Sequence, residues 1–206
     1  RNFYLGSNPK KHFSNEINGI KWYNNQLKKK NLELLNIKKI EKNYIEFIPN
    51  KGHQLKYWKN IKNFEYQAEK IIDYYINLWP NETKVPSHGD LTFSNIIFNR
   101  SLIKFIDWEN FNLNNFWGYD LCYFFMSIIF LPNIDNNKEF INNEELYIFE
   151  KLWFKVFKNR NFIYLKNPIK YLKDQSKSKN GNKKDKNFFI NKVSEQKINQ
   201  INEIIL

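Results

Sequence analysis

The 206-residue sequence has one cysteine, Cys122, and only three histidines, His12, His53 and His88. A single cysteine excludes an internal disulfide framework and a cysteine-rich zinc site, and it favours a reducing compartment, which predicts a cytoplasmic protein. The histidines are far apart in the chain, which argues against a histidine-built metal centre. We expect His12 and His53 to be surface residues.

Long hydrophobic runs and clustered glycines are also missing. The longest apolar run, residues 121–131, has about half the length that a membrane-spanning helix needs. No secretory or transit-like segment opens the sequence. The six glycines are isolated from one another, so no glycine-rich phosphate-binding loop can be drawn. We therefore expect no membrane span.

The composition is otherwise that of a packed protein with a strong positive charge. Hydrophobic residues make up 42% and aromatic residues 18% of the chain, which is enough for a core of one domain, or one domain with a small appendage. Lysine and arginine number 33 against 21 acidic residues, giving a net charge of +12. Such a charge attracts polyanions, nucleic acid included. It equally reflects a lysine-rich composition throughout, and we expect no nucleic-acid partner.

Hydrophobic periodicity and turn residues divide the chain into short strands followed by helices. The pattern predicts strands at residues 2–7, 32–40 and 44–48, with residues 49–52 closing the last of them. It predicts helices starting at a Ser14 cap, over residues 61–79 before Pro80, from Asp120 onward, over 144–158 and within 188–206. Residues 85–106 form short strands around a polar loop, and residues 173–187 form a flexible polar stretch.

One stretch carries recognisable chemistry. Residues 87–95 read Ser-His-Gly-Asp-Leu-Thr-Phe-Ser-Asn, and residues 105–109 read Phe-Ile-Asp-Trp-Glu. Asp90 and Asn95 lie five residues apart in a loop, and Asp107 follows a hydrophobic strand. Carboxylate and amide oxygens are ligands that suit Mg²⁺. A further carboxylate can accept a hydroxyl proton while the metal neutralises charge on a transferring phosphoryl group.

The pattern His-Gly-Asp-x-x-x-x-Asn followed by Ile-Asp-Trp-Glu resembles the aminoglycoside phosphotransferase and choline kinase family, which is related to protein kinases. The resemblance implies that Asp90 is the catalytic base and that Asn95 and Asp107 bind Mg²⁺. It implies that His88 holds the catalytic loop in shape. Asp120 matches an acidic residue that braces the backbone of this loop.

The N-terminal residues match the family less closely. Glu16 lies where the family's first helix supplies a glutamate that pairs with the nucleotide-anchoring lysine. Glu46, Phe47 and Ile48, followed by a proline, resemble the hinge strand whose backbone holds the adenine of ATP. If Glu16 does not serve the nucleotide, the alternative is a solvated helix residue.

The sequence departs from the family at the phosphate anchor. The expected anchoring strand, residues 2–7, has no lysine, and Lys10 and Lys11 just after it are possible stand-ins. The first residue is Arg1, and we expect part of the N-terminal lobe to precede it. The alternative is a degenerate nucleotide site.

The resemblance implies an α+β, protein-kinase-like fold. Residues 1–50 would form a partial N-terminal β-sheet lobe with the hinge, and residues 51–206 a mostly helical C-terminal catalytic lobe. The implied activity is ATP- and Mg²⁺-dependent transfer of the γ-phosphate to a hydroxyl of a small molecule, such as choline, an amino alcohol, a sugar or an aminoglycoside. The alternative is a pseudo-kinase or binding module.

Some neighbouring residues keep two interpretations. Glu109 is either a surface charge at a strand end or a neighbour of the metal. The aromatic residues around it either pack in the core or form a cation-binding cage, and the sequence favours the core. They are Trp108, Phe111, Phe116 and Trp117.

Overall fold

The computed structural model describes residues 2–3, 9–41, 44–48, 53–54, 61–99, 102–134, 139–179 and 188–205. The helices in this part of the chain are α1 (Pro9–Lys29), α2 (Ile61–Leu78), α3 (Tyr119–Phe130), α4 (Asn143–Phe157), α5 (Pro168–Lys179) and α6 (Glu195–Ile205). The strands are β1 (Asn2–Phe3), β2 (Ile37–Ile40), β3 (Tyr44–Phe47), β4 (His53–Gln54), β5 (Lys84–Ser87), β6 (Ile96–Phe98), β7 (Ile103–Phe105) and β8 (Asn112–Phe116).

These elements form a mixed α+β fold, as the sequence predicts. The chain divides into two compact units, one of Arg1–Lys56 with Asp73–Asp120 and one of Tyr57–Ile72 with Leu121–Leu206. Residues 73–120 therefore pack with the N-terminal residues, whereas the sequence divides the chain at residue 50. Among the described helices, none has the length and apolar character needed to cross a bilayer.

Helix α1 begins earlier than the sequence predicts. It starts at Pro9, and the predicted cap, Ser14, is an exposed residue in its second turn. The prediction was wrong because proline is well tolerated in the first turn, where its missing N–H has no helical partner. The helix buries Ile20, Tyr23 and Leu27, which recur at helical spacing.

The first unit contains an antiparallel sheet with the strand order β1-β3-β2. The strand predicted over residues 32–40 is shorter and begins at Ile37. Before this strand, the Asn24 side chain forms two hydrogen bonds with the Leu35 backbone. Its Nδ2 donates to the Leu35 carbonyl oxygen at 2.9 Å, and its Oδ1 accepts from the Leu35 N–H at 2.8 Å. Residues 32–36 precede the strand and belong to no helix or strand. The predicted residues 4–7 and the closing turn at residues 49–52 lie outside the described residues.

Two further antiparallel sheets contain the strands on either side of the polar loop, residues 88–95. In one, β6 lies between β4 and β7, and the β6–β7 hairpin confirms the sequence prediction. The other, which pairs β5 with β8, was not predicted. Its strands contain Pro86 and three asparagines, residues that are depleted in strands, and this hid the pairing. Asn115 is nevertheless buried and donates to the Ser87 hydroxyl at 3.3 Å.

The second unit contains most of the remaining helical core. Helix α4 confirms the prediction for residues 144–158, and the Asn142 side chain caps it by accepting from the Glu145 N–H at 2.9 Å. Ring centroids lie 5.7 Å apart for Phe125 and Trp153, and 4.5 Å apart for Trp153 and Phe157. This aromatic packing joins α3 to α4.

The polar stretch at residues 173–187 is partly helical, which corrects the prediction. Helix α5 continues to Lys179, and residues 180–187 lie outside the described residues. Ile169, Leu172 and Ser176 are buried at helical spacing, so a narrow buried face supports this helix despite its lysine content. The predicted last helix is α6, which begins at Glu195, after a short 3₁₀ turn at Phe189–Lys192.

Gly19 provides a test of the packing in the first unit. A Cβ atom at this position would lie 2.7 Å from the Trp108 Cβ and 3.1 Å from the Phe111 Cβ. Overpacking of this kind costs about 1–3 kcal/mol, whereas alanine gains about 1 kcal/mol over glycine in a helix. We expect Gly19→Ala to lower the melting temperature in thermal denaturation. Asn18→Ala, at an exposed neighbouring position, is the control and should not lower it. An unchanged or higher melting temperature for Gly19→Ala would contradict the close contact.

Candidate active site

The polar loop that follows β5 is held by Asp120. This carboxylate is fully buried, and its two oxygens accept hydrogen bonds from the backbone N–H groups of His88, at 2.8 Å, and Gly89, at 2.9 Å. Gly89 has a φ of +86°, and a Cβ there would lie 2.2 Å from the Asn110 carbonyl oxygen. Only glycine fits this close approach without strain. Asp120 therefore braces the loop backbone, as the sequence predicts.

His88 joins the loop to the strand that leads to Asp107. Its Nε2 lies 2.8 Å from the Ile106 carbonyl oxygen, which can only accept, so Nε2 carries a proton and donates it. Its Nδ1 lies 3.3 Å from the Asp90 backbone nitrogen and accepts that N–H. Both ring nitrogens are thus used by the backbone, and the ring is fully buried. These contacts make His88 a positioning residue, and we place it outside the group that touches substrate.

Asn95 closes the same loop. Its Nδ2 donates to the Asp90 carbonyl oxygen at 2.8 Å and lies 3.5 Å from the Asp90 carboxylate oxygen Oδ2. The backbone carbonyl oxygen of Asn95 accepts a hydrogen bond from the Ile106 N–H at 3.0 Å. This bond extends the pairing of β6 with β7 by one residue pair. The hairpin therefore brings Asp90 and Asn95 beside the residue that precedes Asp107.

Asp107 has an unusual backbone and an unusual charge environment. Its φ of +68° lies in the left-handed region, which costs energy for a residue other than glycine. Burial raises the pKa of its carboxyl to about 6, the negative charges of Glu109 and Asp90 add to this rise, and His12 opposes it. The charges of Glu109 and Asp90 therefore act on the Asp107 carboxyl, in a site that favours a positive charge.

Glu16 belongs to the same acidic group. It is completely buried on α1. Burial raises its pKa to about 8, Asp107 and Glu109 add to the rise, and the Trp108 backbone N–H opposes it. Neither Glu16 oxygen has a hydrogen-bond partner in the described part of the chain, so this N–H lowers the pKa of Glu16 without forming a hydrogen bond to it. The alternative of a solvated helix residue is thus wrong, and the pairing with a lysine stays a prediction.

His12 and Glu109 complete this group, which we call the acidic cluster: Glu16, Asp90, Asp107 and Glu109, with His12 at its edge. The His12 Nδ1 lies 3.8 Å from a Glu109 carboxylate oxygen, and about two fifths of each side chain is exposed. His12 is partly exposed, in keeping with the surface position expected of it, and it also lies beside Glu109. A sequence signal existed, because residues 12 and 16 lie four apart on α1 and therefore share one helix face. Glu109 acts on the pKa of Asp107, and its place beside a metal stays a prediction.

The aromatic residues next to the cluster mostly belong to the core. Trp108 is fully buried, and Phe111 and Trp117 are nearly so, whereas Phe116 is half-buried. The Trp108 indole N–H donates to the Phe105 carbonyl at 3.0 Å, and its ring centroid lies 4.6 Å from that of His88. These contacts use both the polar and apolar parts of Trp108, so the prediction of core packing is confirmed for it.

The predicted hinge residues lie in β3 and directly after it. Glu46 forms an ion pair with Lys38, with Nζ and Oε1 3.1 Å apart. Phe47 ends the strand, and the backbone N–H of the exposed Ile48 donates to the Asn36 carbonyl at 3.0 Å. The Ile48 N–H is thereby taken, so a base held at this strand would need other backbone groups. Adenine binding by these residues stays a prediction. The side chain of His53 lies outside the described residues.

The donor set fits a magnesium ion better than a transition metal. In the described part of the chain, no three histidine, cysteine, aspartate or glutamate side chains are arranged to hold a metal by themselves. Mg²⁺ usually takes one or two carboxylates and completes its shell with water and phosphate oxygens. Burial, and after it the charges of neighbouring carboxylates, raise the pKa values of Asp107 and Glu16, and a divalent cation would favour the ionised forms of both groups.

Comparison with known proteins adds no relative, since no protein family, curated protein or solved structure matches this chain. The interpretation of the site therefore rests on its residues and their geometry.

Glu16 makes the stability of the protein depend on pH. The pKa of Glu16 is about 8 in the folded state, and its ordinary value is 4.5. Between these two pH values, Glu16 is protonated in the folded state and ionised in the unfolded state. The free energy of unfolding therefore falls as pH rises through this window, by up to about 1.4 kcal/mol per pH unit. We expect Glu16→Gln to flatten this fall in metal-free buffer and to be more stable than wild type at pH 8. Melting temperatures at pH 5 and 8 test this, with the exposed Glu150→Gln as control. If the melting temperature changes equally between pH 5 and 8 in wild type and Glu16→Gln, the assignment of Glu16 as a buried carboxyl without a compensating charge is contradicted.

Proposed function

We propose that this protein is an ATP- and Mg²⁺-dependent phosphotransferase that transfers the γ-phosphate to a hydroxyl group of a small molecule. The observation that carries the proposal is the meeting of Asp90, Asn95 and Asp107 at one end of the β6–β7 hairpin. The loop between them is fixed by buried hydrogen bonds to Asp120 and Ile106. Preorganisation of this kind is what phosphoryl transfer requires of a protein, because positioning and charge neutralisation supply most of the catalysis.

The residues divide into a base and metal ligands. Asp90, which is half-buried, would accept the proton of the substrate hydroxyl as its oxygen bonds to the γ-phosphorus and the bond to the ADP oxygen breaks. The amide oxygen of Asn95 and the carboxylate of Asp107 would hold Mg²⁺, because the Asn95 nitrogen is already directed at the Asp90 backbone. When bound, the ion neutralises negative charge on the transferring phosphoryl group.

The finer fold assignment is part of the same proposal. The order of a small N-terminal sheet, a loop with Asp90 and Asn95, and a hairpin leading to Asp107 resembles the aminoglycoside phosphotransferase and choline kinase family. Under this assignment, Glu46, Phe47 and Ile48 would lie at the adenine and Glu16 would pair with a phosphate-anchoring lysine. Dependence on ATP and the single cysteine favour a cytoplasmic location.

A second candidate is a binding module that does not transfer phosphate. It is favoured by the buried Glu16 carboxylate, which has no hydrogen-bond partner in the described residues. Lys10 and Lys11, the possible stand-ins for the anchoring lysine, are both exposed. Calorimetric titration with Mg-ATP and measurement of ADP formation separate the candidates. Binding followed by ADP formation with choline, ethanolamine, a hexose or an aminoglycoside supports the enzyme, whereas binding without turnover supports the module.

Asp90 is the residue that most directly tests the enzyme. Asp90→Asn keeps the size of the side chain and the backbone carbonyl that Asn95 uses, but its amide cannot accept a proton. We expect the rate of phosphate transfer to fall by about 10²–10⁴-fold, with little change in melting temperature. Asp73→Asn, an exposed aspartate in α2, is the matched control. Transfer at an undiminished rate would show that Asp90 is not the base.

Asp107 tests the metal assignment. Asp107→Asn removes a carboxylate whose pKa is raised by neighbouring negative charges, so the folded protein should keep or gain stability at neutral pH. Its affinity for Mg-ATP should nevertheless fall, by about tenfold or more, because a ligand of the cation is weakened. Calorimetry measures the affinity and thermal denaturation the stability. Unchanged affinity would remove Asp107 from the metal site.

A further inference from the structure

A hydrogen bond from the Asn15 side chain, which has no part in the proposed mechanism, links α1 to the segment that carries Asp107. The Asn15 Nδ2 donates a hydrogen bond to the Glu109 carbonyl oxygen at 3.0 Å, across 94 positions of sequence. One turn further along α1, Gly19 allows the helix backbone to approach Trp108 and Phe111 closely. The contacts of residues 15 and 19 therefore lie along residues 108–111, directly after Asp107.

This segment needs to be held, because its local interactions do not favour its shape. The left-handed φ of Asp107 costs energy for a residue other than glycine. Before Asp107, the Ile106 N–H is bonded to the Asn95 carbonyl. After Asp107, the Asn15 bond holds the Glu109 carbonyl in a corresponding way. Asp107 is thus fixed from both sides by hydrogen bonds to other elements.

We propose that Asn15 is a positioning residue for the metal site: its hydrogen bond to the Glu109 backbone holds Asp107 in the orientation that binds the divalent cation. The inference rests on the proposed function, since it takes Asp107 as a metal ligand. Asn15 itself touches neither substrate nor metal. Groups that orient metal ligands in this way typically change metal affinity by about 10–100-fold when they are removed.

The test is the affinity of Asn15→Ala for Mn²⁺, a paramagnetic ion that takes the same oxygen ligands as Mg²⁺. Free Mn²⁺ is counted by electron paramagnetic resonance during titration of the full chain without nucleotide. We expect about tenfold weaker binding than for wild type. The melting temperature should change little, because alanine favours the helix and offsets part of the lost hydrogen bond.

Two further variants make the result specific. Asn18→Ala makes the same chemical change at an exposed position of the same helix, and it should bind Mn²⁺ as wild type does. Asn15→Gln keeps an amide donor at the same position, and it should bind Mn²⁺ more tightly than Asn15→Ala. If Asn15→Ala does not fold, the comparison of Asn15→Gln with wild type decides, with weaker binding at unchanged melting temperature expected from the longer side chain.

The outcomes separate this inference from the proposed function. Binding of Mn²⁺ by wild type with equal affinity in Asn15→Ala would overturn the role of Asn15 and leave the metal site in place. Equal affinities of the Ala and Gln variants would also overturn it, because the amide donor would then have no effect. Absence of Mn²⁺ binding by wild type would refute the metal site, and the inference with it.

Discussion

Burial of Trp108 is the constraint on which the site depends. This side chain lies between Asp107 and Glu109 in sequence, is fully buried, and meets α1 at Gly19 and the polar loop after β5 at His88. A large ring in a close-packed interior cannot shift without moving its neighbours. The backbone on both sides of Trp108 is therefore fixed, and with it the starting points of both carboxylates. The hydrophobic core and the acidic cluster are in this way parts of one arrangement.

The acidic cluster opposes the stability of the fold that contains it. In a chain with a net charge of +12, carboxylates could be surrounded by lysines, yet Glu16 is buried next to Asp107 and Glu109, and its pKa rises to about 8. Each such shift lowers the free energy of unfolding at neutral pH. Perturbed carboxylates that gather in one place are typical of functional sites, where a ligand supplies the missing charge. The two carboxylates with raised pKa values, Glu16 and Asp107, are also residues that the family resemblance names.

The sequence predicted the local parts of this site and missed the long-range ones. Helix α2, the β6–β7 hairpin and the loop between Asp90 and Asn95 follow from periodicity and turn residues, which act over a few positions. The β5–β8 pair and the contacts of His12 and Asn15 with Glu109 join residues far apart in sequence. Patterns over a few neighbouring positions do not encode such contacts, and for His12 the spacing of four from Glu16 indicates only a shared helix face. The start of α1 was missed for a different reason: a proline such as Pro9 usually indicates a turn, although it is also well tolerated in the first turn of a helix.

The hydrogen bonds of the loop also narrow the roles that its ionisable groups can take. His88 uses one ring nitrogen to donate to Ile106 and the other to accept from the Asp90 N–H, so exchanging a proton with substrate would require it to break the bonds that shape the loop. Asp107 lies among negative charges that favour a bound cation over a bound proton once a cation is supplied. Asp90 lies in the same loop, half-buried, and its backbone carbonyl accepts from the Asn95 amide. The hydrogen bonds of His88 and the charges around Asp107 thus agree with the proposed division into a positioning histidine, a metal-binding aspartate and a basic aspartate.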